Sequence, residues 1–155
     1  MHIILATDGS RQSLVAARHL MSFADVAKVD EVWVVAVVSP LATVPFANEL
    51  GGERPDQQKG LRFREEAYAA TGVVMAEVQA WGATTVLRRV LSGSPAAEIV
   101  KAAKELGADL IVVASGSGGL SDTVLLGSTA QRVQHSAPCP VLVCRPTRKS
   151  QRITG

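Results

Sequence analysis

The sequence predicts an α/β domain built on a five-stranded, doubly wound parallel sheet. Three observations predict it. Short, nearly unbroken aliphatic runs recur along the 155 residues, with helical stretches between them. The apolar content of 47% set against 4% aromatic calls for an aliphatic interior of Val, Ile, Leu and Ala, which suits strands covered on both faces by helices. The order β-α-β-loop-α-β-α-β-α-β with right-handed crossovers then gives one sheet, with a strand order of 3-2-1-4-5.

The elements follow in turn. His2–Thr7 is a short buried strand. Ser10–Ala27 carries Leu14, Ala17, Met21 and Ala24 at helical spacing. Glu31–Val38 (EVWVVAVV) is a second strand. Residues 39–57 hold Pro40, Pro45, Pro55 and the pair Gly51-Gly52, which mark a loop, long for one compact domain. Gln58–Ala80 is the longest helix, with Leu61, Tyr68, Thr71, Met75 and Val78 expected on its core face. Thr84–Leu91 reads as a strand whose adjacent Arg88 and Arg89 mark a sheet edge.

Ser94 and Pro95 open a helix as cap residue and first-turn proline, and Gly107 closes it. Asp109–Ala114 is a fully buried strand, Gly127–Ser136 a short helix and Pro140–Arg145 the last strand. Residues 1–146 thus form one α/β domain, followed by a polar tail over 147–155. Arg145, Arg148, Lys149 and Arg152 supply four of the 16 basic residues, leaving twelve against 14 acidic ones in the folded body. The surplus charge is read as a solvated tail, and no nucleic-acid partner is expected.

In a sheet of this order the crevice between the first and fourth strands is the switch point, and ligands bind there beyond the strand C-termini. Thr7-Asp8-Gly9-Ser10 and Ala114–Gly119 fall at that place. Gly116, Gly118 and Gly119 with Gly127 and Ser128 at a helix start offer backbone N–H groups and a helix dipole to an anion. A branched side chain at Gly127 is expected to block this anion path at a greater cost to binding than to folding.

Several other sites are excluded. Gly116-Ser117-Gly118 leads to Ser121 where a dinucleotide fingerprint needs its third glycine, and no phosphate-loop lysine follows the later turn. Asp8 stands alone, without the second acid of a phospho-receiver. Cys139 and Cys144, about 16 Å apart on one extended strand at ~3.3 Å per residue, form neither a disulfide nor a zinc site. His2, His19 and His135 have no partners at useful spacing. Trp33 and Trp81 read as core or interface aromatics. No apolar run reaches the length of a membrane span, and MHIILATDGS lacks the marks of a signal peptide. A cytoplasmic location is expected.

Six segments stand out in order along the chain: Ala6-Thr7-Asp8-Gly9-Ser10, Val37-Val38-Ser39-Pro40, Gly93-Ser-Pro95-Ala96, Ala108-Asp-Leu-Ile-Val112, Leu125-Leu-Gly127-Ser128 and His135-Ser-Ala-Pro-Cys-Pro-Val-Leu-Val143. In these segments the chain resembles the universal stress protein family. The resemblance implies a Rossmann-like sandwich of the adenine-nucleotide alpha-hydrolase type, a stress-response role, a homodimer and, in the nucleotide-binding members, ATP with a divalent ion such as Mg. Transferred onto these positions, Asp8 after Ala6 and Thr7, together with Ala114 and Ser115, would hold the ribose. The Val37 main chain would meet adenine. Gly116, Ser117, Gly118 and Gly119 with Gly127, Ser128 and Thr129 would take the phosphates.

The chain departs from the family loop Gly-x2-Gly-x9-Gly-Ser/Thr. Counting back from Gly127 puts Ala114 and Ser117 at the first two glycines, whereas choosing Gly116 and Gly119 leaves seven intervening residues. A non-glycine residue in a left-handed position costs about 1–2 kcal/mol, a weakening rather than a veto. Two functions therefore stand side by side: a nucleotide-binding dimeric regulator without efficient catalysis (at most a weak ATPase), and an interaction module whose site has been lost. Under either, the apolar strand around Val141–Val143 is a sheet edge suited to dimerisation.

Overall fold

The computed structural model describes residues 1–38, 55–116 and 127–145. In them β1 (His2–Thr7), β2 (Glu31–Val38), β3 (Val86–Ser92), β4 (Leu110–Ala114) and β5 (Val141–Cys144) alternate with α1 (Arg11–Phe23), α2 (Pro55–Trp81), α3 (Pro95–Leu106) and α4 (Ser128–Ser136). Every strand pairing is parallel, and the spatial order is β3-β2-β1-β4-β5, as the sequence predicts.

Because strand side chains alternate between faces, the sheet is buried twice over. Ile3, Leu5, Val32, Val34 and Val112 pack on Ala16, Ala17 and Leu20 of α1 and Val74 and Val78 of α2. The residues between them, Ile4, Val35, Ile111 and Val113, pack on Ile99 and Ala103 of α3 and Val133 of α4. Trp81 flanks the first of these cores and Trp33 the second. No helix among the described residues is long and apolar enough to cross a membrane.

Three expectations need correction. α1 stops at Phe23; Asp25 then caps a short 3-10 turn over Val26–Lys28, accepting from the Ala27 N–H at 3.1 Å. α2 starts at Pro55, where proline has no first-turn N–H to forfeit. Its core face is the third. Thr71, Val74 and Val78 are buried, whereas Leu61 is 62% and Tyr68 53% exposed. At about 100° per residue, the heptad-like line through Leu61 and Tyr68 lies roughly a quarter-turn from the buried stripe. Tyr68 has other work: the Arg88 guanidinium lies 4.7 Å from the centre of its ring, while Arg89 turns to the other face, over Trp33 at 5.6 Å and paired with Glu105 at 2.9 Å. The edge predicted from these two arginines is where the sheet has one.

Cys144 is buried against α1, its thiol donating to the Ala16 carbonyl at 3.7 Å. Cys139 is half-buried and precedes β5 instead of lying on it. Burial pushes both thiols up, with Asp109 adding to the effect at Cys139, so neither is an activated nucleophile. The 39–54 segment and the 147–155 tail lie outside the described residues.

Candidate ligand cleft

The β1–α1 turn is built by short polar side chains. Asp8 Oδ1 accepts from the Ser10 N–H at 2.9 Å, and the Thr7 hydroxyl, 2.8 Å from that of Ser13, accepts from the Gly9 N–H at 3.2 Å. Ser10, not Asp8, caps α1, accepting from the Ser13 N–H at 3.2 Å. The Asp8 side chain is therefore held by one oxygen and exposed to solvent. Gly9 has φ +78°, and a Cβ there would lie 3.3 Å from that of Ala70. Glycine and alanine thus let the turn close against α2.

Beyond this turn a cleft of about 690 Å³ opens between the ends of β1 and β2 and the outer half of α2. Pairing of β2 with β1 ends at Thr7–Ala36, whereas pairing with β3 runs on to Val38–Ser92. Val37 and Val38 therefore project past β1, with backbone that β1 does not cover. Thr7, Asp8 and Val37 line the cleft, as expected of a ligand site at strand C-termini.

The second part lies across the switch point. After β4 the chain reaches Ser115, whose carbonyl accepts from the Gly127 N–H at 2.5 Å. Gly116 adopts φ +116°, and a Cβ on it would lie 3.1 Å from the Gly127 Cα. Gly127 is the N-cap of α4, so Ser128 and Thr129 form its first turn, and Ser128 is not the cap. Ser115 is 1% exposed, and its hydroxyl has no hydrogen-bond partner among the described residues. A buried hydroxyl without a partner among the described residues, beside a helix N-terminus, is a setting that receives an anion's oxygens.

The predicted residues thus divide. Ala114, Ser115, Gly116, Gly127, Ser128 and Thr129 gather at the crossing, and Ala6 faces the α3–α4 core beneath. Ser117, Gly118 and Gly119 lie outside the described residues. The sequence reading missed the far wall of the cleft, where α2 contributes Phe63, Glu66, Ala67, Ala70 and Val73. The available signal was the run Ala67-Tyr-Ala-Ala-Thr-Gly72, where small side chains leave room above the sheet.

The family model described as the universal stress protein family matches residues 1–145. This chain belongs to the universal stress protein family. A universal stress protein of Methanocaldococcus jannaschii is 38% identical over 152 residues, covering 95% of this chain and 83% of the relative. Among solved structures, the hypothetical protein MJ0577 superposes with a TM-score of 0.76 at 26% identity, covering 95% of this chain and 96% of its own. A universal stress protein in complex with cAMP superposes at 0.68, with 25% identity and 95% and 98% covered. That relative holds an adenine nucleotide on the same α/β frame. In this universal stress protein the strand ends carry the Asp8 cleft and the Gly116–Gly127 crossing.

Proposed function

We propose that this universal stress protein binds an adenine nucleotide, ATP or a close relative, and acts as a dimeric regulator in a stress response. The observation that carries the reading is the close crossing of Gly116 and Gly127 beside the buried Ser115 hydroxyl, which has no partner among the described residues, one strand from the Asp8 cleft. In this reading the α4 N-terminus with Gly116, Ser128 and Thr129 receives phosphate oxygens, Asp8 accepts from the ribose, and the projecting Val37 backbone meets the base. The cAMP-bound relative supports the same ligand class.

No group of three or more His, Cys, Asp or Glu among the described residues is arranged to hold a metal. A divalent ion would accordingly arrive on the phosphates. Among the described residues the cleft lining contains no Lys or Arg, and efficient phosphoryl transfer needs charge neutralisation and an oriented water. Binding without turnover is the consequence: phosphate release stays below about 1 per second, the low end of ordinary enzyme rates.

The test is to release and chromatograph any nucleotide that co-purifies, then titrate Mg-ATP by calorimetry into the wild type and Asp8→Ala. Binding in the wild type, weakened in the variant, is expected. No heat at millimolar ATP and no co-purified nucleotide would leave the second reading, a protein-interaction module. The loop's departure from the glycine spacing favours that alternative.

A further inference from the structure

The cleft has two walls, and they differ in chemistry. Across from the strand ends, α2 places Phe63 and Glu66 one turn apart, and both line the same space. Phe63 is 37% exposed, a large apolar ring left facing solvent at the rim of the cleft. Glu66 is also exposed. With Asp8 it makes the two ionisable side chains of the described lining, both acidic.

Two carboxylates repel phosphate, while the anion-accepting groups lie across the switch point at the α4 N-terminus. The α2 side of the cleft therefore suits the uncharged end of a nucleotide. A flat base between the Val37–Val38 backbone and an aromatic ring gains stacking area. An ionised carboxylate can only accept hydrogen bonds, so it favours a base edge that carries an amino donor.

We propose that α2 reads the base: Phe63 stacks on the purine, and Glu66 accepts a hydrogen bond from its exocyclic amino group. The inference rests on the nucleotide reading above and adds to it the wall that selects the base. Glu66 is then a specificity residue, and Phe63 a source of affinity without selectivity.

The experiment compares ATP with purine riboside 5′-triphosphate, which lacks only the 6-amino group, by calorimetry on the wild type, Glu66→Ala and Phe63→Ala. Both side chains are exposed, so the variants should keep the wild-type circular dichroism and melting curve. The wild type should bind ATP about tenfold more tightly than the analogue, the scale of a lost charge-assisted hydrogen bond. Glu66→Ala should bring that ratio to near one. Phe63→Ala should weaken both ligands about tenfold, as removal of a stacking partner does, and leave the ratio standing. An unchanged ATP preference in Glu66→Ala, or wild-type affinities in Phe63→Ala, overturns the proposal while the nucleotide reading survives. If the wild type binds neither triphosphate, both are overturned together.

Discussion

The carbonyl oxygen of Ser115 and the Cα of Gly127 stand so close that a Cβ added to Gly127 would lie 2.9 Å from that oxygen. The 2.5 Å hydrogen bond from the Gly127 N–H to the same carbonyl holds them there. One contact therefore ties the end of β4 to the start of α4 and shapes the proposed phosphate corner. Structural integrity and ligand access share these atoms.

It follows that Gly127→Val damages the fold as well as the site, whereas the expectation from sequence is a greater cost to binding than to folding. The neighbours are backbone atoms, Ser115 O and the Gly116 Cα at 3.2 Å, which cannot swing aside as a side chain would. Even Gly127→Ala should cost about 1–3 kcal/mol, the usual range for overpacking. Gly60→Ala is the control, because nothing lies within 4 Å of a Cβ there and the residue is inside α2. It should stabilise by up to about 1 kcal/mol. Urea denaturation of the two variants should move the midpoint in opposite directions; equal midpoints would contradict the crossing.

Gly116→Ala tests the other half of the crossing. Its φ of +116° is outside the range L residues ordinarily adopt, and the new Cβ would meet Gly127 Cα at 3.1 Å. Strain of about 1–3 kcal/mol is expected, together with weaker Mg-ATP binding as the corner opens. A variant that melts and binds as the wild type does would remove Gly116 from the site.

Much of this arrangement was legible in the sequence, for an identifiable reason. β1 and β2 were placed to the residue because unbroken aliphatic runs end abruptly at Asp8 and Ser39. Asp8 could be nominated because the topology rules say where strand ends meet a ligand, and Val37 because the family resemblance brings its main chain to adenine. The α2 wall was harder to see, because its Ala67 and Ala70 act through the space they leave and the small-residue run from Ala67 to Gly72 is its one mark in the sequence. The apolar spacing of Leu61, Tyr68 and Met75 imitated a core stripe, although Tyr68 was serving Arg88.

The ion pair between Arg18 of α1 and Glu77 of α2 makes a pH-dependent prediction. Arg18 Nε and Nη2 donate to the two Glu77 carboxylate oxygens at 2.9 and 2.6 Å. This fork holds the Glu77 carboxyl below its ordinary range, chiefly through the hydrogen bonds and then the opposite charge. A carboxyl depressed by folding stabilises above its unfolded pKa of about 4.3, and that stability is lost as pH falls through the folded value. The pair is half-exposed, so solvent limits its worth to about 1 kcal/mol or less. Glu77→Gln should lower the urea midpoint at pH 7 and converge on the wild type as pH falls through the folded value. A gap that persists at low pH would mean the cost is not electrostatic.

The edge at β5 makes the last prediction, and the hydrogen-bond pattern chooses the residue to change. The Pro140 and Cys144 carbonyls accept from the Ile111 and Ser115 N–H groups of β4, each at 3.0 Å. Main-chain groups alternate sides along a strand, so those of Leu142 also face β4, while those of Val141 and Val143 turn to the open edge. Val141, Leu142 and Val143 are half-buried, and β5 has a sheet neighbour on one side only. Two copies pairing this strand antiparallel would satisfy the edge by an isologous two-fold contact. Leu142→Pro would therefore break the β4 ladder and unfold the chain. Val143→Pro removes an outward N–H instead, and Val143→Lys adds an edge-blocking charge. By light scattering at tens of micromolar, the wild type should run at twice the 16.3 kDa chain mass and both Val143 variants near the single mass, with folded circular dichroism spectra. A wild-type mass of one chain ends the proposal; dimeric, folded Val143→Pro would move the interface off β5.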